Sequence, residues 1–254
     1  MTTLTSPGPG TADSPLPAGA VPGAARPAGT VPAAAGPVTA WSADPYTVAL
    51  RTGRGPLYLR RGDGWLLPLD VERWCEAPDG ADLTVLRRCR GSVLDIGCGP
   101  GRLVSALAAR GHVSLGIDVS PEAVARTARS GGAALHRSVF DSLPGEGRWG
   151  TALLIDGNIG IGGDPAALLR RMAEVLAATG SLIVECAHAE ADVDEHCEVR
   201  VADGRGGLGA PFPWARVGPA ALTRYATAVG WNPAAHWTVA DRSFAVLTRL
   251  TGAA

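Results

Sequence analysis

The first 40 residues hold almost no charge and almost nothing large to bury. Only Asp13 and Arg26 are charged there, among eight Pro, six Gly and ten Ala. A segment of that composition cannot offset its own ordering entropy, so disorder is expected over 1–40. It also lacks the basic start and continuous apolar stretch of a secretory signal. Nowhere in the 254 residues is there a run of about 18 apolar residues, which excludes a helix that spans a bilayer. Basic excess is missing as well. The formal net charge is −1, so the electrostatic footprint of a nucleic-acid binder is absent. The five cysteines (Cys75, Cys89, Cys98, Cys186 and Cys197) are odd in number and show no framework spacing. That argues against a disulfide scaffold and for reduced thiols in a cytoplasm.

What is present begins at residue 41, where enough chain remains for one domain with a full core. Residues 41–90 read as an irregular N-terminal cap with one helix over 81–89. From Val93 short apolar strands alternate with amphipathic helices. "SVLDIG", "HVSLGID", "AALHRSVF", "GTALLID" and "SLIVEC" read as five strands. "GRLVSALAARG", "SPEAVARTARSGG" and "DPAALLRRMAEVLAATG" read as the helices between them, with Ser120 as an N-cap and Pro121 at the first helical position. Strand and helix in this alternation predict a doubly wound, mostly parallel sheet in an α/β fold, with the core over 91–188. Residues 189–254 read as a substrate-side insertion with a half-exposed strand "EHCEVRVA", then a helix "GPAALTRYATAVG". "AHWTVADRSFAVLTRL" closes the sheet as an antiparallel hairpin, for seven strands in all.

In such sheets the ligand site lies at the carboxyl ends of the strands. The first strand runs straight into "LDIGCGPGR". Gly97, Gly99 and Gly101 in that turn allow positive φ and close approach of a ligand to bare backbone. A dinucleotide fingerprint would need glycine where Arg102 stands. Arg102 itself reads as a solvated first-turn residue, and Cys98 as a small residue filling the loop. The second strand ends at Asp118, whose carboxylate suits a ribose diol in either kind of cofactor.

The acid followed by Gly-x-Gly-x-Gly resembles the first motif of the class I S-adenosylmethionine-dependent methyltransferases, in their small-molecule type, with a Rossmann-like fold. The resemblance implies S-adenosyl-L-methionine as cofactor, with Asp95 oriented toward its amino group and Gly97, Cys98, Gly99 and Gly101 against its methionine and ribose portions. It implies Asp118 at the ribose, Asp141 at the adenine amino group, and Val119 or Phe140 against the ring. It also places Asp156, Gly157 and Asn158 beside the transferred methyl group.

Methyl transfer needs a general base only if the acceptor must first lose a proton. His188, just past the fifth strand, and Glu185 within it are the expected catalytic residues; a solvated loop histidine is the alternative for His188. Cys186, His188, His196 and Cys197 do not have the spacing of a zinc site, so no metal is expected. Seven tryptophans suggest aromatic walls for a flat acceptor, with Trp214, Tyr46 and Tyr58 as substrate contacts. The expectation is a cytoplasmic methyltransferase of a small-molecule acceptor, with no nucleic-acid or membrane partner. The alternatives are an NAD(P)-dependent oxidoreductase and a non-catalytic cofactor-binding scaffold.

Overall fold

A computed structural model describes residues 44–187 and 192–250. The N-terminal arm and residues 188–191, His188 included, lie outside the described residues. In chain order the elements are α1 (Asp44–Thr52), β1 (Tyr58–Arg61), β2 (Leu66–Pro68), α2 (Val71–Cys75), α3 (Gly80–Leu86), β3 (Val93–Ile96), α4 (Arg102–Ala109), β4 (Ser114–Asp118), α5 (Pro121–Arg129) and β5 (Ala134–His136). Then come β6 (Trp149–Leu154), α6 (Pro165–Val175), β7 (Leu176–Cys186), β8 (Asp194–Ala202), β9 (Phe212–Val217), α7 (Pro219–Ala228), β10 (Trp231–Val239) and β11 (Arg242–Arg249).

Seven strands form the large sheet in the order β10-β11-β7-β6-β3-β4-β5. β11 alone runs against the other six. The sheet's central strands β3 and β6 are buried on both faces, which is why they read as unbroken apolar runs. Alternate residues face opposite layers. Leu94, Ile96, Leu154, Leu182 and Val184 pack with Leu168, Leu169 and Met172 of α6 and Leu222 of α7. Val93, Leu153, Ile155 and Ile183 pack with Val85 of α3 and Leu103 and Leu107 of α4. The chain leaves β3 for β4 and β5 on one side, then returns to β6 on the other. The loops after β3 and β6 therefore diverge and open a crevice.

Helix starts follow the polar residues ahead of them. Ser120 accepts from the Ala123 amide ahead of Pro121, and Asp164 accepts from the Ala167 amide ahead of Pro165. Asp79 and Asp82 form a reciprocal capping box on α3.

Four readings change. The cap is more regular than its sequence suggests, with α1, α2, β1 and β2 besides the helix, which itself ends at Leu86. "PFPWARVG" contains a strand, β9, and a second sheet runs β2-β1-β8-β9, all antiparallel. The third core strand stops at His136, four residues early: Arg137 makes the last bond to the Asp118 carbonyl, and Ser138 and Asp141 then close a turn on each other. The helix of 165–180 ends at Val175, and Leu176 begins β7.

Candidate functional site

The turn between β3 and α4 is held from below by backbone bonds, with the Gly97 and Cys98 amides both donating to the Ile117 carbonyl. Asn158 ties it from the side, its Nδ2 donating to the Ile96 and Gly97 carbonyls at 2.8 and 3.0 Å. Gly101 has φ 86°, and a Cβ there would fall 2.4 Å from Thr127 Oγ1. This glycine lets α4 lie against α5. Gly99 has φ 54° and is buried, the nearest atom to an added Cβ being Tyr46 Oη at 3.7 Å. The glycine of this turn that borders the crevice is Gly97.

Asp118 faces Gly99 across the turn. Its Oδ2 accepts from the Gly99 amide at 2.9 Å and its Oδ1 from the Ser120 amide at 2.8 Å. Burial pushes this carboxyl up to about 6, against the Ser120 and Gly99 hydrogen bonds that favour the anion. Each oxygen keeps a second lone pair for a ligand hydroxyl. Asp95 is 3 % exposed and is pushed up to about 8, first by burial and then by Asp156, Asp118 and Asp82, with Arg102 opposing. Tyr46 is raised well above its ordinary value by burial and by Asp118, so its hydroxyl stays protonated.

Around this turn lies a cleft of about 590 Å³, part of it open to solvent, lined by Gly97, Asp118, Val119, Tyr46 and Trp214 among others. The first wall is the β4 end with Arg137, Ser138 and Val139; the second is Ile161, Gly162, Phe212 and Pro213. Phe212 and Trp214 meet edge to face, ring centroids 6.1 Å apart. One side of the cleft is charged and hydrogen-bonding, the other aromatic and apolar.

Beside the cleft sits an ion network that the sequence reading missed. Arg102 is buried, not solvated: Nε donates to Asp82 at 2.8 Å and Nη1 to Asp156 at 2.8 Å. Its place in the first turn of α4 aims it at the α3 layer, where Asp82 is fully buried. Arg73 on α2 reaches Asp156 at 2.7 Å. Arg242 grips Glu185 through Nε and Nη2, both at 2.8 Å, and reaches Asp82 at 3.0 Å. Burial disfavours the Asp156 anion, yet Arg102 and Arg73 outweigh it and hold the carboxyl at about 2. Asp156 also stands at φ 59°, an uncommon backbone state for a non-glycine residue.

The structure therefore divides the expected residues. Gly97, Asp118, Val119, Tyr46 and Trp214 line the cleft. Cys98 is buried beneath the turn against Thr127, and Gly101 serves packing. Asn158 fastens the turn, while Asp156 and Glu185 belong to the ion network, with Gly157 between Asp156 and Asn158 at φ 79°. Phe140 is 43 % exposed and packs at Gly162, and the Asp141 carboxylate accepts from the Ser138 amide. Neither Phe140 nor Asp141 is in the cleft lining, because β5 ends early and presents Arg137 to Val139 instead. Tyr58 stands on β1 toward Gly204, away from the cleft. Phe212, Pro213 and Ile161 gave no signal in the sequence, since their place depends on the second sheet. Among the described residues no group of three or more His, Cys, Asp or Glu is arranged to hold a metal ion.

Residues 93–180 match the profile of a protein family described as "Methyltransferase domain". A solved S-adenosylmethionine-dependent methyltransferase from Bacteroides fragilis, in complex with S-adenosyl-L-homocysteine, superposes with a TM-score of 0.67 at 19% identity, over 84% of this chain and 95% of that one. The CcbJ methyltransferase from Streptomyces caelestis superposes with a TM-score of 0.54 at 17% identity, over 68% and 90% of the two chains. A 1,6-didemethyltoxoflavin-N1-methyltransferase from Burkholderia thailandensis gives 0.50 at 17%, over 66% and 75%. At such identities the superpositions speak to the fold. Together with the domain match and the glycine turn, they define the class: a methyltransferase domain over residues 93–180 within a Rossmann-like fold. Solved S-adenosylmethionine-dependent methyltransferases share this fold.

Proposed function

We propose that this enzyme methylates a small-molecule acceptor, with S-adenosylmethionine held in the cleft beside Gly97 and Gly99. The observation that carries the reading is the pairing of Gly97 backbone with the Asp118 carboxylate, which also holds the Gly99 amide, on a cleft whose far wall is aromatic. When bound, the cofactor supplies an activated methyl group on a sulfonium centre. Asp118 would accept from the ribose hydroxyls, and Val119, Ser138 and Val139 would border the adenine. Asp95, close enough to Arg102 and Asp156 to feel both charges, supplies negative charge to the cationic methionyl end as it ionises. Tyr46, Phe212 and Trp214 exclude water and offer a flat apolar surface to the acceptor.

The Burkholderia thailandensis enzyme is solved with 1,6-didemethyltoxoflavin and S-adenosylhomocysteine bound, a small-molecule pairing of the kind proposed here. Glu185, committed to Arg242, is not carried into the mechanism as a base, and His188 remains the proposed one. The reading is tested by incubating the protein with methyl-labelled cofactor and a small-molecule extract of the host. Label in a low-mass product, lost in Asp118→Ala, is expected. Tight cofactor binding without any labelled product would favour a non-catalytic scaffold.

A further inference from the structure

His196, Tyr225 and Asp194 form a chain in which every hydrogen can be counted. His196 on β8 sets Nδ1 2.7 Å from the Gly163 carbonyl and Nε2 2.9 Å from the Tyr225 hydroxyl. Tyr225 on α7 donates to Asp194 Oδ1 at 2.8 Å. A carbonyl only accepts, so Nδ1 carries a hydrogen. Asp194 is held below the usual carboxylate range, by the Tyr225 hydroxyl first and then by Arg224, so it too only accepts. The one Tyr225 hydrogen is thus spent on Asp194, and the hydroxyl presents a lone pair to Nε2.

Charged groups surround the pair. The Asp194 carboxylate lies 3.5 Å from Nε2, and Asp164 acts on the same Tyr225 hydroxyl. Arg224 is shared between Asp192 and Asp194 at 2.9 and 3.1 Å. Across β9 the residue opposite His196 is Ala215, and the neighbouring Glu195 is taken by Arg216 at 2.8 Å.

What the imidazole grips is the loop that bounds the cleft. Gly162 lines that cleft, and Gly162 and Gly163 both have positive φ, 81° and 71°. Added Cβ atoms would meet Phe140 at 2.9 Å and Pro213 at 2.7 Å, so the loop is wedged between two side chains, and His196 fastens it from outside. We propose that His196 is a positioning residue that fixes the 161–164 loop over the cofactor cleft. The proposal rests on the cofactor reading above.

Its test is calorimetric binding of S-adenosylhomocysteine to the full chain and to His196→Ala, Tyr225→Phe and the double variant. The His196→Ala dissociation constant should exceed the wild-type value by about three- to tenfold, the scale of one hydrogen bond, and the double variant should be no worse than His196→Ala. A ratio of one would overturn the proposal. Should the wild type fail to bind at all, the cofactor reading falls and the clamp is judged by hydrogen exchange. Faster exchange over 161–164 in His196→Ala would sustain it; equal exchange in both proteins would end it.

Discussion

Gly99 and Gly101 stand two residues apart and lack side chains for different reasons. Gly101 makes room for Thr127, while Gly99 takes φ 54° beneath Tyr46 with its amide on Asp118. Gly101→Ala should therefore cost about 1–3 kcal/mol of stability through overpacking, read as a fall of about 2–4 °C in Tm per kcal/mol. Gly99→Val should instead abolish S-adenosylhomocysteine binding, because a branched side chain strains the turn at that φ and crowds Tyr46, which lines the cleft; unchanged affinity would contradict the loop geometry. The two buried carboxyls make a separate prediction. Asp95 at about 8 and Asp118 at about 6 lie above their unfolded values. The folded chain then binds more protons than the unfolded one, so both groups lower stability as pH climbs from about 4 toward 8. Asp156, at about 2, acts the other way, adding stability above about 4 that is lost as pH falls toward 2. A cationic ligand favours ionised carboxylates, so S-adenosylmethionine binding near pH 7 should release protons. Calorimetry in buffers of different ionisation heat would show this, and a buffer-independent heat would contradict it.

At the scale of elements, the Arg102 network joins pieces that the sequence presents separately. α2 and α3 from the cap, α4, the turn after β6, the end of β7 and the start of β11 meet on three arginines and their acids. Removing one partner of a buried pair leaves an uncompensated charge. Arg102→Met should then cost about 3–5 kcal/mol in urea denaturation, far more than a solvated arginine would. The large-sheet strands, their helices and the C-terminal hairpin were legible because each shows its own periodicity and cap. β9 was not, since "PFPWARV" begins with two prolines in its first three residues and becomes a strand only by pairing with β8. Arg102 was misread for a related reason. Its partners Asp82 and Asp156 lie 20 and 54 residues away, and one-dimensional spacing carries no trace of them.

On the scale of the whole molecule, the glycine turn and Asp118 were legible because they follow successive parallel strands. The aromatic wall was only half legible. Trp214 was named from its residue type, whereas Phe212, Pro213 and Ile161 depend on how the second sheet, built from cap and insertion strands together, covers the crevice. The cleft thus has a glycine and carboxylate side fixed by local sequence and an aromatic side fixed by tertiary assembly. The most direct measurement is a calorimetric titration of the full chain with S-adenosylhomocysteine and with NAD under the same conditions. The account predicts saturable binding of S-adenosylhomocysteine, lost in Gly99→Val and weakened by about 1.5–3 kcal/mol in Asp118→Ala, the scale of hydrogen bonds to a charged group. Preference for NAD, or no response to S-adenosylhomocysteine, would contradict it.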